Sequence, residues 1–223
     1  MKRVIISDTH IGSLFYKSEE LFKFLSEVEY DQLILAGDII DFIKIPVFTE
    51  RCMDILSKID RDKEIIYVVG NHDESLVRLV GKNIFGIDFV KRYEFEENNR
   101  KFRVEHGDSY DAKSFIRTTL FVKLLSVMQN VLEVTFDFDF TTWYIERQIK
   151  RHKLRNIIDI LRLNDDVDVF VMGHLHIPEA LVWIQPDQTV KTYINAGDWI
   201  SHTTYVEVED GVARLKEFKS ISA

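Results

Sequence analysis

Three short apolar runs, each ending abruptly at an acid or at a glycine, constrain this chain more than any other feature. Val4-Ile5-Ile6 stops at Ser7-Asp8, Leu33-Ile34-Leu35-Ala36 at Gly37-Asp38, and Ile65-Ile66-Tyr67-Val68-Val69 at Gly70-Asn71. Such continuous runs suit strands buried on both faces. Between them lie helical patterns. Leu21, Leu25 and Val28 share a face after a candidate cap at Ser18, and Cys52, Ile55, Leu56 and Ile59 share another after Thr49. Strands alternating with helices predict a mostly parallel sheet. Farther on, Tyr93, Phe95, Phe102 and Val104 frame Asn98-Asn99 and predict a hairpin over 91–106. Residues 113–163 read as helical. Val167 to Met172 returns to a buried strand, and the rest reads as antiparallel strands with turns at Pro186-Asp187 and Asp210-Gly211. Nothing between these segments has linker composition, so residues 1–223 are expected to form one domain with an insertion at about 113–163.

The polar residues after the strands carry the chemistry. Asp8-Thr9-His10, Gly37-Asp38-Ile39-Ile40-Asp41, Gly70-Asn71-His72-Asp73, His106-Gly107-Asp108 and Gly173-His174-Leu175-His176 each follow a predicted strand or hairpin. Sites in open parallel sheets lie beyond the carboxyl ends of the strands. In Asp8-x-His10 and His174-x-His176 the two side chains are two residues apart, which in an extended segment puts them on one face. Glycine before Asp38, Asn71 and His174 is expected to let the backbone turn tightly. Five of the seven histidines fall in these motifs. Mixed carboxylate, imidazole and amide ligands suit borderline or hard divalent ions. Cys52 is the only cysteine, which excludes a thiolate zinc site and an intrachain disulfide.

Together these five motifs resemble the signature of the calcineurin-like metallophosphoesterases, in the family's order and over residues 4–198. The resemblance implies a four-layer α-β-β-α sandwich with a dinuclear metal centre between two sheets. It implies that Asp8, His10 and His176 hold one ion, that Asn71, His106 and His174 hold the other, and that Asp38 bridges them. His72 would stabilise the transition state or protonate the leaving oxygen, with Asp73 orienting it, and Asp41 would support a ligand histidine. The cofactors implied are two divalent ions, Mn²⁺ foremost, with Fe, Zn, Ni or Co as alternatives. The activity implied is hydrolysis of a phosphate ester or pyrophosphate by metal-hydroxide attack. Within the family the chain looks closest to the UDP-2,3-diacylglucosamine hydrolase branch. His106-Gly107-Asp108-x-x-Asp111, the helical insertion and Asn195-x-Gly197-Asp198-Trp199 carry that likeness. The best-characterised hydrolases of that lipid carry Arg where this chain has His72. Relatives that act on cyclic nucleotides or nucleic acids share the five motifs, and others on this fold are non-catalytic scaffolds.

The insertion is expected to be a lid. Phe115, Ile116, Leu120, Phe121, Leu124, Leu125, Val127, Met128, Val131 and Leu132 give its first helix two apolar faces. The stripe Ile145, Ile149, Ile157, Ile158 and Leu161 on the second is expected to pack on the first. The apolar excess could line an acyl-chain groove, form a dimer contact or touch a membrane surface peripherally. Arg147, Lys150, Arg151, Lys153, Arg155 and Arg162 read as a solvated helix face or as a patch that attracts a phosphorylated substrate or anionic lipid, whereas Asp111, Lys113 and Arg117 are the candidate substrate contacts, the two bases as phosphate clamps. Trp183 and Trp199 are expected in the core or as outer supports of the site rather than as base-stacking platforms. A net charge of −8 argues against a general nucleic-acid binder. The expected partner is a small phosphorylated substrate, lipid-linked in the favoured branch. The lone cysteine and the short apolar start in MKRVIIS fit a cytoplasmic enzyme.

Overall fold

The computed structural model describes residues 1–42, 49–110, 157, 160, 161 and 166–219. Alternation within each apolar run builds the layers. In β1 (Arg3–Ile6), β2 (Gln32–Ala36) and β3 (Glu64–Val68), the odd-numbered Leu33, Leu35, Ile65 and Tyr67 face one way, with Val4 and Ile6. They pack against Leu21, Phe24 and Leu25 of α1 (Ser18–Glu27) and Cys52 and Ile55 of α2 (Glu50–Ser57). Ile5, Ile34, Ala36, Ile66 and Val68 face the other way, into a core shared with the second sheet.

The first sheet has the order β12-β11-β1-β2-β3-β5-β4, where β4 is Asn83–Ile84, β5 Ile87–Val90, β11 Thr204–Glu209 and β12 Val212–Glu217. Its centre, β1 to β3 and β5, is parallel, and antiparallel strands close both margins. The second sheet runs β6-β7-β8-β10-β9, with β6 at Arg92–Glu97, β7 Arg100–Glu105, β8 Val169–Met172, β9 Glu179–Ile184 and β10 Val190–Asn195. Phe102, Val104, Val169, Val171 and Ile194 face the first sheet. On the outer side, Phe170, Met172 and Tyr193 pack with Ile157, Ile160 and Leu161, which are helical and share one face at i, i+3, i+4 spacing. Helix, sheet, sheet, helix is the expected four-layer sandwich.

Several expectations change in detail. Ser18 is not the cap of α1: Lys17 holds that position without a side-chain bond, whereas Thr49 does accept from the Cys52 N–H at the start of α2. The β4–β5 hairpin was not expected, because Ile84-Phe85-Gly86-Ile87 shows no alternation. The last strands do not form one antiparallel run. β10 is antiparallel to β9 but parallel to β8, and the chain then crosses to the first sheet for β11 and β12. Ile157 and Leu161 are buried against the second sheet, and the helix they are expected to meet lies outside the described residues. The rest of the expected lid, including Phe121, Leu125 and the basic positions, lies outside the described residues. Among the described residues, no helix is long and apolar enough to cross a membrane.

Candidate metal centre

Five of the seven expected ligand residues have left-handed backbone: Asp8, His10, Asp38, His174 and His176, with φ between 46° and 65°. Asp and His tolerate that region better than most side chains, and such conformations cluster at functional sites. The i, i+2 spacing of Asp8 and His10, and of His174 and His176, therefore works through turns, not through the alternation of an extended strand. The loops are tied together by backbone bonds: Asp8 N–H donates to Gly37 O at 3.1 Å and His10 N–H to Asp38 O at 3.0 Å. Of the three glycines expected to turn, only Gly37 has positive φ. At Gly173 a Cβ would lie 1.8 Å from Ser7 Oγ and 2.3 Å from Asp8 Oδ2, so glycine is there for close approach. Gly70 is similar, its Cβ falling 2.3 Å from Asp38 Oδ1.

Among the described residues three groups could hold an ion, two made of expected ligands and a third of His10, Asp41 and His72. In the first, Asp8, His10 and His176 bring ligand atoms within 4.8 Å of one another. Asp8 Oδ1 lies 3.2 Å from His176 Nε2 and 3.9 Å from His10 Nε2. Asp8 Oδ2 is occupied otherwise, accepting from Ser7 Oγ at 2.6 Å and from the His174 N–H at 2.9 Å. In the second, Asp38, His106 and His174 meet the same distance limit. His106 Nε2 lies 3.1 Å from Asp38 Oδ2 and 3.0 Å from Asn71 Oδ1, while His106 Nδ1 lies 3.1 Å from Ala36 O. With Nδ1–H donating to that carbonyl, Nε2 presents its lone pair to two more acceptors.

That convergence is the test of fit for a metal. Among the described residues, His10 Nε2 is buried with no hydrogen-bond partner and Asp8 Oδ1 meets only imidazole nitrogens, a costly arrangement unless a proton or a metal cation lies between the acceptors. Burial, with His72 and His176 adding, pushes the His10 imidazole down to about 4, so it is a neutral lone-pair donor. Burial alone would raise the Asp8 carboxyl, but the charge and hydrogen bond of His176 outweigh it and hold it at about 2. Burial likewise opposes a charged His106, yet the Asp38 carboxylate overrides it and raises the imidazole to about 10. Without a metal, protons on His106 and His176 relieve the carboxylates. Divalent ions would displace those protons. The residues fit two ions with nitrogen and oxygen ligands. Cys52 is in none of these ligand groups; it is buried in the helix-side core, its Sγ 3.1 Å from Tyr16 OH.

The carboxylate that meets His72 differs from expectation. Its Nδ1 lies 3.0 Å from Asp41 Oδ1, and its Nε2 4.0 Å from Asp38 Oδ2. Burial works against a charged His72, but Asp38 and Asp41 outweigh it and raise its pKa. The orienting carboxylate is thus Asp41, which also lies 3.9 Å from His10 Nδ1. Asp73 does not perform that role. Its fully buried carboxylate accepts from Tyr67 OH at 2.7 Å, Gly70 N at 2.6 Å and Ile39 N at 3.1 Å, bracing the loops after β2 and β3. Asp111, Lys113 and Arg117 lie outside the described residues. Trp199 is in the core, tilted against Phe24 with ring centroids 4.8 Å apart. Sequence reasoning gave Asp198 no role in the site, yet its carboxylate lies 3.3 Å from His176 Nδ1. Gly197-Asp198 after β10 repeats the glycine–acid pattern of Gly37-Asp38, the signal that could have found it.

The model of the calcineurin-like phosphoesterases matches residues 1–178. The chain belongs to that family, whose members work with two metal ions. No curated protein matches the chain in sequence. Among solved structures, Vps29 from Entamoeba histolytica is 16% identical, covering 98% of this chain and 100% of that one at a TM-score of 0.46. A phosphoesterase from E. coli is 16% identical over 96% of this chain and 91% of its own, with a TM-score of 0.47. A dimetal phosphatase from Danio rerio is 12% identical over 97% and 95%, with a TM-score of 0.48. At these scores the likenesses carry no argument about activity or substrate.

Proposed function

We propose that the protein is a two-metal hydrolase of phosphate esters or pyrophosphates. The observation that carries the reading is the convergence of buried acceptors in two adjacent groups, with His72 held beside them by Asp41. In this reading Asp8, His10 and His176 hold one ion, Asn71, His106 and His174 the other, and Asp38 stands between. When bound, such ions supply concentrated positive charge that activates water and neutralises phosphoryl oxygens, and Mn²⁺ is the first candidate. His72 supplies the proton. With Nδ1–H donated to Asp41, its Nε2 is free to protonate a leaving oxygen, and the ring is 18% exposed rather than sealed. Asp41, 3.0 Å from Nδ1, favours the protonated imidazole and fixes its orientation. Every expected ligand position is occupied by a competent side chain, which favours an enzyme over a scaffold on this fold.

The finer reading is a nucleotide-linked lipid such as UDP-2,3-diacylglucosamine. Leu14, 60% exposed on the loop after His10, and Phe42, 37% exposed beside Asp41, support an amphipathic substrate. Turnover in Mn²⁺ of that lipid, a cyclic nucleotide, single-stranded DNA and a simple aryl phosphate tests both levels. Preference for the lipid supports the finer reading, and preference for either nucleotide substrate replaces it. No turnover of any phosphoester by protein holding both ions contradicts the enzyme assignment.

A further inference from the structure

The motif Gly197-Asp198-Trp199 has no part in the reading above, yet Asp198 is 1% exposed and shares its carboxylate unequally. Oδ1 accepts three backbone N–H groups, from Ile200 at 3.1 Å, Ser201 at 2.8 Å and His202 at 2.8 Å. His202 Nδ1 lies 3.3 Å from the same oxygen. Oδ2 is left over. Among the described residues, neither this oxygen nor His176 Nδ1, 3.3 Å away, has a regular hydrogen-bond partner. Each is the other's nearest opportunity. On the far side of the ring, His176 Nε2 faces Asp8 Oδ1.

We infer that Asp198 is the positioning residue of the first metal site: it accepts the His176 Nδ1 proton and thereby fixes the tautomer that leaves Nε2 a lone pair. A carboxylate is acceptor-only, so the nitrogen facing it must carry the proton. A carboxylate behind a ligand imidazole also raises its basicity, and loss of such a partner typically weakens metal binding about 10–100-fold. The two sites then differ. The outer nitrogen of His106 meets a backbone carbonyl, Ala36 O, whereas that of His176 meets a charge. The same loop links the metal segments, since Trp199 N–H donates to Asp8 O at 3.1 Å and Lys17 N–H to Trp199 O at 2.7 Å.

The inference rests on the two-metal reading and deepens it. Its test is Asp198→Asn. The amide oxygen can keep the three backbone donors, while the NH₂ turned toward His176 demands the opposite tautomer. Calorimetric titration of metal-free protein with Mn²⁺ should show two ions on the unaltered chain. On D198N, affinity for one of them should fall about 10–100-fold and the other should hold. Equal affinity for both ions in the two proteins overturns the role of Asp198 and leaves the function standing. Failure of the unaltered chain to bind two ions overturns both. A measurement on the unaltered chain guards against a variant that does not fold: in Zn²⁺-loaded protein, ¹⁵N spectra should show His176 protonated at Nδ1. A His176 protonated at Nε2, or not at all, refutes the inference.

Discussion

The two ends of the same strands treat buried charge in opposite ways. At the start of β1, Arg3 donates from Nε to Gln32 Oε1 at 2.9 Å, pairs with Glu97, and lies 4.2 Å from the centroid of the Phe95 ring. Gln32 in turn donates to Tyr93 OH at 2.8 Å. There donors face acceptors. Past the other end of β1 and β2, Asp8, His10, Asp38, Asn71 and His106 turn acceptors toward one another, on backbone that is left-handed at Asp8, His10 and Asp38. The first arrangement pairs donors with acceptors within the chain and serves stability. The second is complete only with something positive added, and the strain it carries is the mark of a site.

The comparison is broken most severely at Asp38. Asp38→Ala should lose at least one ion and about 10³-fold or more in turnover, since metal-supplied stabilisation is worth several kcal/mol. Elemental analysis alongside kinetics checks it, and retention of both ions with full turnover would refute the assignment. His72→Ala should keep both ions and lose about 10²–10⁴-fold, the usual contribution of a general acid. The loss should be greatest for poor leaving groups, and equal losses on activated and unactivated esters would argue against proton donation. Changes at the opposite end should leave the chemistry alone. Arg3→Met should lower unfolding free energy by about 1–3 kcal/mol, the cost of unmet buried partners, with metal content and turnover unchanged. Denaturant unfolding and a parallel assay would show whether the two ends are as separate as the geometry makes them.

Most of the scaffold was legible because periodicity reports burial. Val4-Ile5-Ile6 and its counterparts are apolar without interruption since one set of side chains faces helices and the other faces the second sheet. Asn98-Asn99 and Asp210-Gly211 were readable as turns because all four residues adopt the left-handed backbone their types tolerate. The ligand residues were readable from type and order. Their outer partners were not. Whether Asp41 or Asp73 orients His72 depends on which carboxylate three-dimensional packing turns toward it, and adjacency in sequence favoured the wrong one. Asp198 was hidden for the same reason: it meets His176 across 22 positions of chain, through a crossing between sheets. The β4–β5 hairpin escaped because its strands are short and only Phe89 is well buried in them.

The central claim is that the two acceptor groups are halves of one dinuclear centre. Anomalous diffraction from crystals grown with Mn²⁺ tests it most directly. The account predicts two peaks about 3.5–4 Å apart, one beside Asp8, His10 and His176, the other beside Asn71, His106 and His174, with Asp38 touching both. A single peak, or peaks away from these residues in fully active protein, would contradict it.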